Sequence, residues 1–369
     1  MDTNFEIFLA IAPGLETVLL AETLQAGFSG AKQTPGGVTF TGNWHDVWRA
    51  NLTLRTATRV LARIGGFRAF HLAQLDKRAR KFPWGDVLRA DQPIRVEVTT
   101  NKKSKIYHAG AAKQRIETAI KETLGAEISA EAGICLKLRI DDNNCMFSVD
   151  TTGESLHKRG HKVAVNKAPM RETLAAGFLH DMGYDGSQAV LDPMCGSGTF
   201  ILEAAEMASG LLPGRTRNFA FENLTTFDQA AFRQLKDHNP VQPDARFFGS
   251  DRDQGAVQMS QKNAERAGLG DCTQFKMCAV SDLQRPDCAP GIVIVNPPYG
   301  TRIGNKKLLF GLYGALGKTL KERFSGWRVG IVTSDAGLAK ATGLQFAKEG
   351  KPIPNGGLKV KLFQTAELP

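Results

Sequence analysis

The 369-residue chain predicts an α/β protein whose C-terminal half is a doubly wound, mainly parallel sheet, with smaller α+β segments ahead of it. Three observations carry this expectation. Continuous apolar runs at 291–295 and 327–333 read as strands covered by helices on both faces. Helix-length segments lie around them, opening at Ile201 and spanning about 253–267 and 306–324. A further run, Val190-Leu191, closes on Asp192 and Pro193-Met194-Cys195-Gly196-Ser197-Gly198-Thr199-Phe200. That is strand, glycine turn, helix, in which backbone N–H groups at a helix start face a ligand. A lone Gly-x-Gly can equally be a sharp turn and nothing more.

Ahead of this lie shorter elements. Residues 5–10 alternate loosely as a strand, a helix runs to about Ala26 and Gly27, 36–40 form the next strand, and Asn43 caps a helix to Leu52. This β-α-β-α order is a ferredoxin-like unit over 1–53. Arg55, Arg59 and Arg63 then recur every four residues, a stripe on a helical face or punctuation along a strand. Lys77, Arg78, Arg80 and Lys81 precede Phe82 and Trp84, which suits phosphate contact with stacking or places both rings in a core. Residues 94–98 alternate as a strand. Lys102, Lys103 and Lys105 follow, leading to Tyr107, a helix carries Arg115 from Ala109 to about Leu124, and 136–140 and 145–150 make a hairpin turned at 141–144. Residues 153–165 read as a basic linker. Its His157 and His161 lack acidic or thiol neighbours in sequence and are expected near a polyanion, not on a metal.

Charge is concentrated. Of a formal net +10, residues 51–121 hold sixteen Lys/Arg against five Asp/Glu, while the first fifty are net negative. A positive field confined to one segment points to a polyanionic partner, nucleic acid above all. The six cysteines contain no Cys-x-x-Cys pair, so neither a zinc site nor a disulfide framework is expected. No apolar run reaches membrane length. The expectation is a cytoplasmic protein with no membrane contact and no obligate protein partner.

The strand ends define the ligand. Asp192 closes one, Asp251 closes the strand near 245–251, and Asp282 follows a short strand at 273–276. An acid at such an end accepts ribose hydroxyls, and Asp282 can receive an adenine amino group. No third glycine follows at dinucleotide spacing. An adenosine ligand carrying positive charge, S-adenosylmethionine, fits better than NAD or ATP, with Pro193, Met194, Cys195, Gly196, Gly198 and Thr199 as its turn. Cys195 reads as a small residue in a tight space.

The 291–295 strand runs into Asn296-Pro297-Pro298-Tyr299-Gly300. Two prolines force the chain rigidly out of the sheet. With Asn before and an aromatic after, the run resembles the Asn-Pro-Pro-Tyr motif of class I methyltransferases acting on exocyclic or amide nitrogens. The resemblance implies that the Asn296 oxygen and the Pro297 carbonyl accept the two N–H bonds of the amine, and that Tyr299 stacks on the base, so catalysis is positioning without a metal. Ser104-Lys105-Ile106-Tyr107-His108 leading into Lys113-Gln114-Arg115-Ile116 resembles a THUMP domain, an RNA-binding module, over 54–152. Pro169-Met170-Arg171-Glu172-Thr173-Leu174-Ala175-Ala176 resembles the segment that opens the methyltransferase domain (166–369), and implies that Thr173 lines the cofactor pocket. Arg302 is expected to reach an RNA phosphate, and Arg215 and Arg217, in a long insertion at 210–244, either touch RNA or are solvated.

Taken together the chain resembles the THUMP-containing guanine-N2 RNA methyltransferases that act on 23S ribosomal RNA, in a form with a single methyltransferase domain and hence no second activity. The resemblance implies an RNA partner, with transfer RNA as the other substrate class. Two further readings stay open: adenine-N6 methylation, which shares the Asn-Pro-Pro-Tyr motif, and a non-catalytic RNA-binding assembly factor.

Overall fold

The computed structural model describes residues 4–162, 170–244, 246–300 and 306–369. They form two compact units, each built on its own sheet. The first comprises residues up to Ile11, Leu20–Leu156 and Arg217–Asp237; the second comprises Ala12–Leu19 and the rest of the chain from His157 onward.

In the first unit, β1 (Phe5–Ala10), β2 (Lys32–Thr34), β3 (Gly37–Gly42), β4 (Arg59–Arg68), β5 (Ile94–Thr100), β6 (Ile134–Asp141) and β7 (Asn144–Asp150) form one sheet in the order β2-β3-β1-β4-β7-β6-β5. Only β5 and β6 pair in parallel. The ferredoxin-like segment and the segment after it therefore share a sheet, with β4 as the seam between β1 and β7. The arginine repeat lies on this strand and its approach, not on a helix. The chain also carries helices α1 (Glu16–Gln25), α2 (Trp44–Thr53), α3 (Leu72–Ala79) and α4 (Ala109–Thr123). Asn43 and Asp46 close a reciprocal capping box at the start of α2, each bond 3.2 Å. The β6–β7 hairpin turns through Asp142 and Asn143 at φ 47° and 61°, the left-handed pair that a two-residue hairpin needs.

In the second unit the strands are β8 (Val190–Asp192), β9 (Phe247–Asp251), β10 (Thr273–Met277), β11 (Ile292–Val295), β12 (Arg328–Thr333), β13 (Phe346–Glu349), β14 (Ile353–Asn355) and β15 (Leu358–Glu367). Their order is β10-β9-β8-β11-β12-β15-β13, with β14 paired to β15. The five from β10 to β12 along that row are parallel, and β15 runs antiparallel to β12. The helices are α5 (Glu172–Asp181), α6 (Thr199–Ala208), α8 (Gln254–Ala267), α9 (Lys306–Arg323) and α10 (Ala336–Ala341); α7 (Gln229–Lys236) belongs to the first unit. All four residues of β11 are fully buried. Leu191, Val293, Val295, Val329 and Ile331 pack with Tyr313, Leu316 and Leu320 of α9 and with Phe324 and Trp327 beyond it. Each such side chain contributes on the order of 1.5–3 kcal/mol by burial, which fixes the sheet that carries the site.

The insertion folds differently from expectation. Its Phe219, Phe221, Phe227 and Phe232 form an aromatic cluster with Trp48 of α2, with ring centres 5.0 to 6.3 Å apart. Arg217 is buried and donates to the backbone carbonyls of Thr152, Glu154 and Ser155. It is a structural residue, not a solvated or RNA-facing one. No helix among the described residues is long and apolar enough to cross a membrane.

Candidate active site and nucleic-acid face

β8 is the strand at which the sheet order reverses, with β9 on one side and β11 on the other. Ligands of doubly wound sheets sit at the carboxyl ends of strands at such a switch point. Register places the expected groups there. Asp192 pairs with Gly249, two residues before Asp251; Val293 pairs with Leu191, three residues before Asn296.

The glycine turn lies across the ends of β8 and β9. Cys195 N–H donates to the Ser250 carbonyl at 2.9 Å, and Gly196 N–H to Asp251 Oδ2 at 3.1 Å. Gly196 and Gly198 adopt φ 55° and 83°, where a side chain would be strained. Ser260 and Asn263 of α8 hold the turn from behind, donating to the carbonyls of Gly196 (3.0 Å) and Ser197 (3.1 Å). Gly249 must be glycine because a Cβ there would collide with the Phe275 ring. Cys195 is buried, with Sγ 3.8 Å from Ser260 Oγ, and burial pushes its thiol up, so it fills space and is not a thiolate.

Asp192 is 3% exposed and its Oδ1 accepts from Met194 N–H at 3.0 Å. Burial pushes its carboxyl up to about 8 against that hydrogen bond, and Asp251 adds to the rise. A buried acid with no cation beside it among the described residues is what a positively charged ligand would relieve. Asp251 Oδ1 accepts from Asp253 N–H at 3.0 Å. With one bond on each oxygen, the carboxylate keeps two acceptor positions for a pair of hydroxyls. Asp282 sits in a 3₁₀ turn five residues beyond β10 and is solvent-exposed. Pro193 and Met194 occupy the turn beside them, Met194 half-buried.

At the end of β11, Asn296 Oδ1 is a buried acceptor with no hydrogen-bond partner among the described residues. The Thr173 hydroxyl on α5 is in the same condition. Pro297 is buried, while Pro298 and Tyr299 are half-buried. The turn is braced by residues that carried no sequence signal. Tyr313 Oη on α9 lies 3.4 Å from the Pro298 carbonyl and 3.2 Å from Thr333 Oγ1, and burial pushes its phenol up, keeping it protonated. Asn355 Nδ2 donates to Tyr299 Oη at 3.1 Å.

Thr199 does not offer its hydroxyl freely: it is 2.8 Å from Lys162 Nζ and 3.4 Å from the Met170 carbonyl. Lys162 also pairs with Glu172 at 2.9 Å, with both side chains under 10% exposed. The described part of the expected linker, 153–162, accordingly carries basic residues in buried pairs. Arg159 and Glu203 are a fully buried bidentate pair (3.0 and 3.3 Å). Arg215 pairs with buried Glu206 at 2.6 Å. His161 is buried, 3.6 Å from Glu206, and burial lowers its pKa; burial with neighbouring cations holds His157 at about 4. Both imidazoles are neutral near pH 7, which removes them as phosphate-attracting groups. Residues 163–169 and Arg302 lie outside the described residues.

The expected cations of the first unit divide in two. Arg59 pairs with Asp150 (2.7 Å), Arg63 pairs with Glu6, and Arg55 is buried. Trp84 is buried in a cluster with Phe147 and the half-buried Phe67 and Phe82, so Trp84 is core and not a stacking platform. By contrast Lys77, Arg78, Lys81, Lys102, Lys103, Lys105, Tyr107 and Arg115 are all exposed. Asn143 gathers three loops at one end of the sheet: it accepts from Lys105 N–H and Ala69 N–H, each at 2.9 Å. Phe70, 39% exposed, has the Arg68 guanidinium 5.5 Å and the Lys105 ammonium 5.6 Å from its ring centre.

The fold and this constellation define a class I S-adenosylmethionine-dependent methyltransferase. Residues 159–363 match the RMKL-like methyltransferase domain and residues 6–61 the RlmL ferredoxin-like domain, and the chain belongs to this RMKL-like methyltransferase family. A Synechocystis protein provisionally named an RNA methyltransferase, slr0064, is 31% identical over 98% of this chain and 97% of its own. The ribosomal RNA large subunit methyltransferase K/L of Vibrio cholerae is 32% identical over 95% of this chain, which spans 52% of that protein. Two solved structures are 27% identical with TM-score 0.88: SMU.472 complexed with S-adenosylhomocysteine, covered fully on both sides, and a Listeria monocytogenes protein described as a predicted N6-adenine-specific DNA methylase, with coverage of 99% and 97%. The chain thus spans about half the length of the K/L relatives.

Proposed function

We propose that this protein methylates the exocyclic N2 of a guanine in RNA, with 23S ribosomal RNA as its substrate, in the cytoplasm where that RNA is made. S-adenosylmethionine, when bound, supplies an electrophilic methyl group on a sulfonium. Asp192 and the turn from Pro193 to Gly198 would hold its cationic end, Asp251 its ribose and Asp282 its adenine, with Thr173 lining the pocket. The orphaned Asn296 acceptor carries the reading. An arylamine nitrogen delocalises its lone pair into the ring. Asn296 Oδ1 and the Pro297 carbonyl, by accepting its two N–H bonds, favour the pyramidal form whose lone pair is available for attack. Tyr299 stacks on the base, which must leave its helix at a cost of a few kcal/mol, on the order usual for base-flipping enzymes.

We read residues 54–152 as a THUMP module. Its RNA face comprises the exposed set from Lys77 to Arg115, with phosphates held by cations and an unpaired base available to Tyr107. Arg302, outside the described residues, is read as a further contact to an RNA phosphate. The names of the K/L relatives favour ribosomal RNA over the acceptor stem of transfer RNA. The Listeria neighbour's description favours adenine N6 as the second reading, and the basic first unit favours RNA over DNA.

Incubation with tritiated S-adenosylmethionine and protein-free 23S ribosomal RNA tests the assignment. Asn296→Ala should lower turnover by about 100- to 1,000-fold, the scale for losing one transition-state hydrogen-bonding group, with cofactor affinity within threefold. Loss of cofactor binding in that variant would make Asn296 structural.

A further inference from the structure

The Pro-Pro sequence fixes the backbone of the catalytic turn but not the side-chain torsions of Tyr299, whose half-buried ring packs against the core cluster. A second element reaches it. β14 and β15 are joined by Gly356-Gly357, at φ 56° and 86°, and Asn355 pairs with Leu358 at the end of that hairpin. Asn355 is half-buried and bonds to Tyr299 Oη at 3.1 Å. Leu358, 38% exposed, has Cδ1 3.3 Å from where a Cβ on Gly300 would stand. The hairpin end therefore meets two consecutive residues of the turn, one through a polar contact and one through an apolar one. Either end of the Asn355 amide can serve, because a phenol both donates and accepts.

From this we propose that Asn355 is a positioning residue that sets the plane of the Tyr299 ring, and that the β14–β15 hairpin orients the target base through it. The inference rests on Tyr299 being the stacking platform of the reading above. An in-line transfer tolerates little misalignment, and a displacement of about 1 Å can cost about 100-fold in rate. A ring released from its tether should therefore show its loss in turnover and not in cofactor affinity.

Two measurements test this on the full-length protein. The first needs no activity. The chain has four tyrosines (107, 184, 299 and 313), so incorporation of 3-fluorotyrosine gives a fluorine spectrum in which Tyr299→Phe identifies the Tyr299 signal. Asn355→Leu should shift that signal and leave those of Tyr107 and Tyr184 in place; an unmoved Tyr299 signal would overturn the proposal. The second is a kinetic cycle with tritiated cofactor and protein-free 23S ribosomal RNA. Asn355→Leu should lower kcat by about tenfold, a modest share of what misplacement can cost, with cofactor affinity within twofold. In a Tyr299→Phe background it should lower kcat less than twofold further, since the partner hydroxyl is already gone. Full multiplication of the two effects, or a parallel fall in cofactor affinity, would contradict the positioning role. Wild-type protein that labels no RNA while its Tyr299 signal still depends on Asn355 would sink the substrate reading and leave the contact standing.

Discussion

Two groups of cations, one in each unit, are used in opposite ways. In the second unit, Arg159, Lys162 and Arg215 are turned inward, each on a carboxylate that is itself buried (Glu203, Glu172 and Glu206). In the first unit, the lysines at 77, 81, 102, 103 and 105 stand in solvent. Buried pairs hold α5, α6 and the segment before them in one arrangement, which a cofactor pocket requires. Exposed cations cost little to maintain and act through the field they make together. The lesson is that a basic residue has no role until its partner is known. Arg215, Arg217 and His161 read in sequence as possible RNA contacts, and each is structural.

That contrast can be broken from either side. The largest effect should come from Arg159→Met, which leaves Glu203 buried and unpaired: about 3–5 kcal/mol of stability should be lost, measured by denaturant unfolding of the second unit. Replacing Glu203 by Leu in the same variant should restore most of it, and a single variant as stable as the parent would show that the pair is not needed.

Next is Asp251→Ala, which removes the acceptors we assign to the cofactor ribose and should weaken S-adenosylmethionine by about 10- to 100-fold, the scale of charged hydrogen bonds. Calorimetry decides it, and unchanged affinity would take Asp251 out of the site.

Asp192 offers a pH test. Its folded pKa of about 8 stands above the ordinary value of 3.8, so the folded protein binds more protons than the unfolded chain between those limits. Stability of the cofactor-free protein is therefore lost as pH rises across that window. Asp192→Asn should raise Tm at pH 8 while weakening the cofactor. In the parent at pH 7, binding of a cation beside this acid should release close to one proton, read as a dependence of binding enthalpy on buffer. No release would mean that the carboxylate does not meet the charge. The smallest effect is expected on the exposed side: changing Lys102, Lys103 and Lys105 together to Ala should reduce the slope of log affinity for RNA against log salt by about 2, and an unaltered slope would move the RNA face elsewhere.

Much of the second unit was legible because its strands end on the residues to which we assign the chemistry. Val190 to Thr199, Asp251 and Asn296 to Gly300 announce themselves by type and spacing, and the strand order then brings them to one edge. Asp282 was legible in kind, though it lies in a 3₁₀ turn beyond its strand. What the sequence hid were braces that act across long separations. Tyr313, Asn355 and Lys162 are ordinary residues until the fold sets them 15, 56 and 37 residues from the groups they hold. The return of Arg217–Asp237 to the first unit was hidden for the same reason, since a run of phenylalanines says that it will be buried and not against what.

The central claim is tested most directly by the product. Protein-free 23S ribosomal RNA and total transfer RNA are each incubated with the protein and labelled S-adenosylmethionine, digested, and the labelled nucleoside identified. N2-methylguanosine in the ribosomal RNA is the result that the proposed function predicts. The same nucleoside only in transfer RNA would keep the chemistry and change the substrate. N6-methyladenosine, or no label in either RNA, would contradict the assignment.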